Sequence, residues 1–281
     1  MAKVPSKVES RIREALKRYQ PVVDQARARD VGEADTSTLV KDVLADLFGY
    51  DKYSEITAEF QIKGTYCDLA IKIDGKLALL VEVKAANLEL KEAHIKQAVD
   101  YAANQGVEWV ILTNAQTWQV YKVSFGQPIT SELLMTLQFC TLNTKADSDL
   151  EALFLLTREA QGKSLLDEYH EQKQALSRFT VGAVLLSEPL LMGIRRELKR
   201  ISPDVRIELD EIQRVLSGEV IKRDVLEGEQ AATATRRVSK AMSRALRAKS
   251  PAKEYEQGQQ VSDSTPLQAN PLAGTQAPAA T

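Results

Sequence analysis

Three residues in the first half of the chain have the types and spacing to act on a phosphodiester: Asp68, Glu82 and Lys84. All three fall in or beside strand-like runs, where side chains alternate faces. Glu82 and Lys84 therefore share one face, while Val81 and Val83 turn to the other. In the preceding run Leu69, Ile71 and Ile73 share a face, and Asp68 lies opposite. Asp74-Gly75 between the two runs is a strong hairpin signal. The hairpin brings Asp68 beside Glu82 and Lys84. Isolated charges on a half-buried sheet face are costly to desolvate. A divalent cation would account for them, because Mg²⁺ takes a few carboxylate oxygens together with water and phosphate oxygens. Mn²⁺ is the alternative ion. Such an ion polarises a phosphodiester and acidifies a coordinated water, and a nearby ammonium stabilises the developing charge. The competing reading is a cross-strand salt-bridge ladder of little energetic weight.

These residues need a sheet and helices to hold them, and the periodicity supplies both. A helix is expected over Ser6 to Arg29, with Val8, Ile12, Leu16 and Tyr19 on one stripe and an interruption at Pro21. A second follows the caps offered by Asp35-Thr36-Ser37-Thr38 and stops at Gly49. Strands are expected over Ile56 to Ile62, Tyr66 to Ile73 and Leu77 to Ala85. A helix over Lys91 to Gln105 follows, then strands at Trp109 to Thr113 and Trp118 to Val123, and a short one near Leu137 to Cys140. This order predicts an α/β sandwich around a mixed sheet.

Beyond Asp147 the strand signal ends. Leu150 to Arg200 is helical in period, with breaks near Gly162, Ser187-Glu188-Pro189 and Pro203. Further helices are expected at Leu209 to Leu216 and Asp224 to Lys249. From Ser250 the chain loses large apolar residues and is expected to be disordered. The domains expected are 1–146, a helical region 147–249 and a tail 250–281.

Composition narrows the classes. The 281 residues are 44% hydrophobic and 27% charged, an ordinary globular balance. A formal net charge of −2 excludes a uniformly basic coat, so any anionic partner needs a local patch. Arg236, Arg237, Lys240, Arg244, Arg247 and Lys249 form such a stretch, free of acidic residues between Glu229 and Glu254. It could contact phosphates or be a solvated helix face. Arg195, Arg196, Lys199 and Arg200 form a weaker cluster opposed by Glu197. Cys67 and Cys140 lack CxxC spacing, so reduced thiols rather than a zinc site or disulfide framework are expected. His94 and His170 lack a GxSxG partner for hydrolase chemistry. No apolar run reaches membrane-spanning length and no signal peptide is visible, so a cytoplasmic protein without a membrane partner is expected.

Asp68 followed by Glu82-Val83-Lys84 resembles the D…(E)xK signature of the PD-(D/E)xK nuclease superfamily. Gln97-Ala98-Val99-Asp100-Tyr101 resembles the QxxxY motif of one of its branches. Glu33-Ala34-Asp35-Thr36, leading to Phe48-Gly49-Tyr50-Asp51, resembles that branch's opening helix. Thr113-Asn114-Ala115 with Trp118-Gln119-Val120-Tyr121 resembles its later strand pair. Together, from Glu33 to Val123, these resemble the N-terminal nuclease domain of type I restriction enzyme R subunits.

The resemblance implies a restriction-endonuclease-like mixed sheet flanked by helices. It implies Asp68 and Glu82 as metal ligands, with the Val83 carbonyl as a further contact. Lys84 would position the attacking water or stabilise the transition state. Gln97 and Tyr101, four apart on a helix, would line the site or touch the DNA backbone, although a solvated helix face is the plain alternative. Glu33 would be an outer metal or water ligand, or an ordinary first-turn charge. The family's translocating ATPase is not expected here, and Gly162-Lys163-Ser164 is not a convincing P-loop. No sequence-reading or methylase module is visible.

The function expected is Mg²⁺-dependent DNA hydrolysis by an endonuclease of restriction or phage defence. The partners expected are DNA and a second copy or a defence complex, without an ATP site. The alternative is a catalytically weak or silent nuclease-fold module for DNA binding or assembly. RNA as substrate is a third possibility.

Overall fold

The structure is a computed structural model that describes residues 3–62 and 65–249, with side chains described over 3–58 and 67–245. It opens with helices α1 (Ser6–Ala28) and α2 (Glu33–Asp46). Strands β1 (Ile56–Ile62), β2 (Thr65–Ile73) and β3 (Lys76–Val83) follow, then helix α3 (Glu92–Gln105). Strands β4 (Trp109–Thr113), β5 (Thr117–Ser124) and β6 (Thr130–Gln138) complete one six-stranded sheet in the order β1-β2-β3-β4-β5-β6. Neighbouring strands are antiparallel except β3 and β4, which run parallel across the α3 crossover.

The remaining helices are α4 (Asp147–Leu155), α5 (Arg158–Gln161), α6 (Leu165–Ala175), α7 (Arg178–Leu185), α8 (Glu188–Ile201), α9 (Leu209–Val215), α10 (Arg223–Leu226) and α11 (Glu229–Lys249). The mixed sheet followed by helices is the architecture expected from the hydrophobic period. The tail from Ser250 lies outside the described residues.

Alternation along the strands sorts the core into two layers. Leu69, Ile71, Leu79, Val81, Val83, Ile111 and Val120 pack with Ile12 and Leu16 of α1 and Val40, Val43 and Leu44 of α2. Ala70, Leu80, Val110 and Leu112 face the other way, toward Ile95, Ala98, Tyr101 and Ala102 of α3. Asp74 and Gly75 both take positive φ, 50° and 77°, the mirror-image turn that matches strand twist in a tight hairpin.

Several boundaries differ from expectation. Helix α1 runs through Pro21 instead of breaking there. The buried stripe Ile12, Leu16, Tyr19 and Val23 crosses the proline, and its packing outweighs one lost backbone bond. Helix α2 starts at Glu33, and Thr36 lies inside it with its hydroxyl donating to the Gly32 carbonyl at 2.8 Å. The last strand is Thr130–Gln138, and Phe139–Thr141 is a short 3₁₀ turn. A register shift between Val120 and Tyr121 blurs its period. The expected 224–249 helix is divided, with Gly228 between α10 and α11.

The described residues form two compact units, divided between Val181 and Gly182. The position expected for a boundary, residue 146, falls inside the first. Leu150, Leu153, Leu165 and Leu166 belong to the core shared with α1, α2 and the sheet. Asp167 of α6 also accepts from the Trp109 indole at 3.1 Å and from Lys122 at 2.6 Å. In the second unit Leu191, Ile212, Ala231, Ala234 and Val238 are buried.

One polar clamp fixes the helical layer of the first unit. Arg11 of α1 donates to both carboxylate oxygens of Glu159 at 2.7 Å. The same guanidinium donates to the carbonyls of Leu47 at 3.1 Å and Phe48 at 3.3 Å. Gly49, at φ +82°, lets the chain pass so close that a Cβ would sit 2.5 Å from the guanidinium carbon. The bond from Arg11 holds the Glu159 carboxyl below its ordinary value of 4.5, against the opposing effect of burial. A depressed carboxyl stabilises the fold above that ordinary value and loses its effect as pH falls through the folded value. Glu159→Gln is therefore expected to lower Tm at pH 7 and to converge on wild type below pH 4.5. Thermal melts across pH check this; a deficit that persists undiminished in acid would show that the ionised pair is not its source.

Candidate active site

The chemistry-bearing residues converge where β3 ends against β4. Leu69 pairs with Val81, so continuing the register by one residue sets Asp68 opposite Glu82. Val81 and Val83 are fully buried on the α1–α2 side, which turns Glu82 to the α3 side. A one-residue slip would exchange these faces, so the valines lock the glutamate's orientation. Beyond β3 the Lys84 amide still donates to the Thr113 carbonyl at 2.8 Å, which fixes the lysine's backbone to β4.

Asp68 accepts from the Val83 amide at 2.7 Å, a cross-strand bond that ties the two carboxylate-bearing strands together. Glu82 is 4% exposed. Its Oε1 accepts from the Lys84 ammonium at 2.8 Å. Its Oε2 is buried and, among the described residues, has no hydrogen-bond partner. Lys84 also donates to the two Glu33 oxygens at 3.4 and 3.5 Å. Glu33 stands in the first turn of α2 and is half exposed.

The electrostatics follow from this placement. Burial pushes the Glu82 carboxyl up; the Lys84 bond opposes this, and Asp68 and Glu33 add to it. Burial works against the charge of Lys84, but the Glu82 bond and the surrounding carboxylates win, and its pKa rises. The lysine thus stays an ammonium at neutral pH. The Cys67 thiol next in sequence to Asp68 is pushed up to about 12 by burial and then by Glu82 and Asp68. It is an inert neutral thiol.

Tyr101 is buried in the layer between α3 and the sheet, and burial raises its hydroxyl pKa. Gln97, one turn earlier, is exposed. Arg236, Arg237, Lys240 and Arg244 are exposed on α11 in the second unit. The Arg247 side chain lies outside the described residues.

Asn114, in the Thr113-Asn114-Ala115 run quoted above, acts as a positioning residue. Its amide nitrogen donates to the Leu88 carbonyl at 2.9 Å. Its oxygen accepts from the Gln116 and Thr117 amides at 3.1 and 2.7 Å. It thereby closes the β4–β5 turn and holds the loop that follows Lys84. An asparagine directly after a strand is the available sequence signal for such a turn.

Among the described residues no three His, Cys, Asp or Glu side chains gather as a metal cluster. Asp68 and Glu82 would thus be the carboxylates available to an ion here. Two suffice for Mg²⁺, which keeps several waters. The partnerless Glu82 Oε2 fits that need, since a buried carboxylate oxygen without a donor costs free energy that a cation would relieve.

The mixed sheet has helices on both faces and a charged cluster at the end of its parallel strands, the position where open α/β sheets leave a crevice. Residues 39–135 match the family described as type I restriction enzyme R protein N terminus (HSDR_N), and this segment carries that domain. The match contains Asp68, Glu82, Lys84, Gln97 and Tyr101, and begins after Glu33. Neither a curated protein nor a solved structure matches the chain. Among the described residues no helix is long and apolar enough to cross a membrane.

If Glu82 binds a divalent ion, Mn²⁺ or Mg²⁺ should raise Tm, by about 2.7 kcal/mol of stability at roughly 100 times Kd. Glu82→Gln should abolish that shift while remaining folded. Differential scanning calorimetry with and without metal decides the matter: equal shifts in both proteins would place the ion elsewhere.

Proposed function

We propose that this chain is a metal-dependent DNA phosphodiesterase, an endonuclease of restriction or phage defence. The observation that carries the reading is the buried, partnerless Glu82 oxygen beside the Lys84 ammonium and opposite Asp68. A purely structural ion pair would satisfy both oxygens or stay in solvent, because an unpaired buried acceptor is costly.

Magnesium or manganese held by Asp68 and Glu82 would polarise a phosphoryl oxygen and acidify a water. The protein's own residues do the positioning. Lys84 offers a charged donor to the attacking water or to the negative charge that builds on the phosphorus oxygens. Glu33 keeps that ammonium oriented from the start of α2. Asp68, tied to the Val83 amide, is held in place before substrate arrives. Gln97, exposed on α3, would touch backbone phosphate or sugar, and Tyr101 packs in the core between α3 and the sheet. Exposed Arg236, Arg237, Lys240 and Arg244 on α11 supply sequence-independent phosphate contacts. One such centre cuts one strand, so a double-strand cut calls for a second copy or a defence complex as partner.

Purified protein should nick or cut plasmid DNA in Mg²⁺ or Mn²⁺ and leave it intact in EDTA. Lys84→Ala should lower the rate by about 10²–10³-fold, the range for loss of one preorganised transition-state donor. Wild type and Lys84→Ala that leave DNA equally intact in every metal would defeat the enzyme reading, and retained DNA binding would then favour a silent binding module. A parallel RNA arm identifies the preferred sugar. Separately, Arg237→Glu with Lys240→Glu should weaken DNA binding equally across sequences and flatten its salt dependence. An unchanged salt slope in a fluorescence-anisotropy titration would remove α11 from the DNA contact.

A further inference from the structure

Next to this site lies a cleft of about 310 Å³, lined by the loop after Lys84 and by the ends of β5 and β6. Its walls are unusual in chemistry. Asn87, Asn114, Gln116, Gln119 and Gln138 bring five amides to it, with Leu88 as an apolar edge. Asn114 is consumed by its turn. Gln119 Oε1 accepts from the Tyr121 hydroxyl and Gln138 Oε1 accepts from the Thr117 hydroxyl, both at 3.0 Å. Each glutamine therefore keeps its amide nitrogen as a donor.

The sheet register sets the cleft's distance from the chemistry. Glu82 pairs with Leu112, and Leu112 pairs with Gln119. Glu82 and Gln119 thus stand in one row on one face, two strand spacings apart, about 10 Å. Gln138 pairs with Thr117, one alternation further along the same face. The loop is pinned at both ends of the cleft wall, by Ala86 to the Val31 carbonyl at 3.1 Å and by Leu88 to Asn114.

Phosphates are not what this wall fits. Arg27 and Glu89 bring one charge of each sign, and the rest is neutral. Neutral amides in a pinned cleft suit a planar ligand edge that carries both donors and acceptors. Asn and Gln side chains pair with base edges in this way, and unstacked bases are read along these edges in single strands.

We propose that this cleft holds a nucleobase of the bound strand, one or two nucleotides from the phosphate at Lys84, and so gives cleavage a base preference. The inference rests on the nuclease reading above. Its test uses the full-length protein and short oligonucleotides that carry each of the four bases, or an abasic residue, at positions flanking the cut. Cleavage and anisotropy are measured together. Wild type should favour one base over the abasic residue by roughly tenfold at one position. Gln119→Ala, and separately the exposed Asn87→Ala, should reduce that preference while metal-dependent cutting persists. Cutting with no preference at any flanking position, or a preference unchanged in both variants, overturns the inference and leaves the nuclease reading intact. Failure to bind or cut any oligonucleotide overturns both. Saturable binding of an amide-rich peptide in the cleft, competing with no oligonucleotide, would assign the amides to a protein partner and also overturn it.

Discussion

The site depends on one constraint, the forced burial of Glu82. Its strand β3 has neighbours on both sides, antiparallel β2 and parallel β4. Val81 and Val83 anchor the opposite face at 0% exposure. The glutamate cannot turn to solvent unless the strand gives up its register and both valines. The fold thus holds a carboxylate where its second oxygen finds no donor. Such placement costs about 1–3 kcal/mol, a sizeable share of a domain's net stability. The rest of the first unit supplies the compensation. Phe48 meets Trp118 edge-on at 5.4 Å, Phe139 lies 6.3 Å from the same indole, and the Arg11 clamp closes over the α2 terminus.

The ammonium of Lys84 is the second half of the constraint. It lies beyond the last residue of β3, yet its backbone is still paired to Thr113. Glu33 reaches it from α2, and the following loop is pinned by Val31 and Asn114. Three separate parts of the chain therefore meet at the carboxyl end of the one parallel strand pair. That is where open α/β sheets leave a crevice, because the crossover to the next strand must leave the sheet there. The amide-lined cleft occupies the same crevice on its far side. Charge gathers on the β3 side and neutral hydrogen-bonding groups on the β5 side. The proposed ligand, a polyanion with planar, polar bases, would match that division.

Much of this was legible in the residues. The period of two through β2 and β3, with the Asp74-Gly75 turn, brought Asp68 beside Glu82 and Lys84, but its pairing opposite Glu82 depends on the register shift between Ile71 and Lys72, which that pattern does not record. The helical stripe of α1 and the order of strands were legible for the same reason, since alternation and 3.6-residue spacing are local. Non-local effects were hidden. The packing that carries α1 through Pro21 depends on a core assembled from distant elements. Thr36 has the type of a cap but donates to Gly32 from within the helix, a choice set by where Gly32 turns the chain. The bulge at Val120/Tyr121 erased the period that would have marked β6. Gln119 was visible in the sequence only as a polar residue between Trp118 and Val120. Its alignment with Glu82 needs two strand pairings that no local pattern records.

The near-neutral balance of the chain, a formal −2, also takes on physical meaning. Asp68, Glu82 and Glu33 surround a single lysine, so the bare centre repels a phosphodiester instead of attracting it. A site of this kind cannot recruit its substrate by its own field. On the proposed function, attraction would come from elsewhere on the protein, and the exposed arginines and lysine of α11 are the proposed source. On the proposed function, neutralisation at the centre would come from a cation shared with the phosphate. The two requirements separate capture from chemistry. Salt should weaken capture, where exposed charges are screened, far more than it weakens events at the buried Glu82. The same proposed separation would account for amides and not cations along the neighbouring cleft. If other charges hold the backbone as proposed, the amides of the cleft would be free to discriminate among bases.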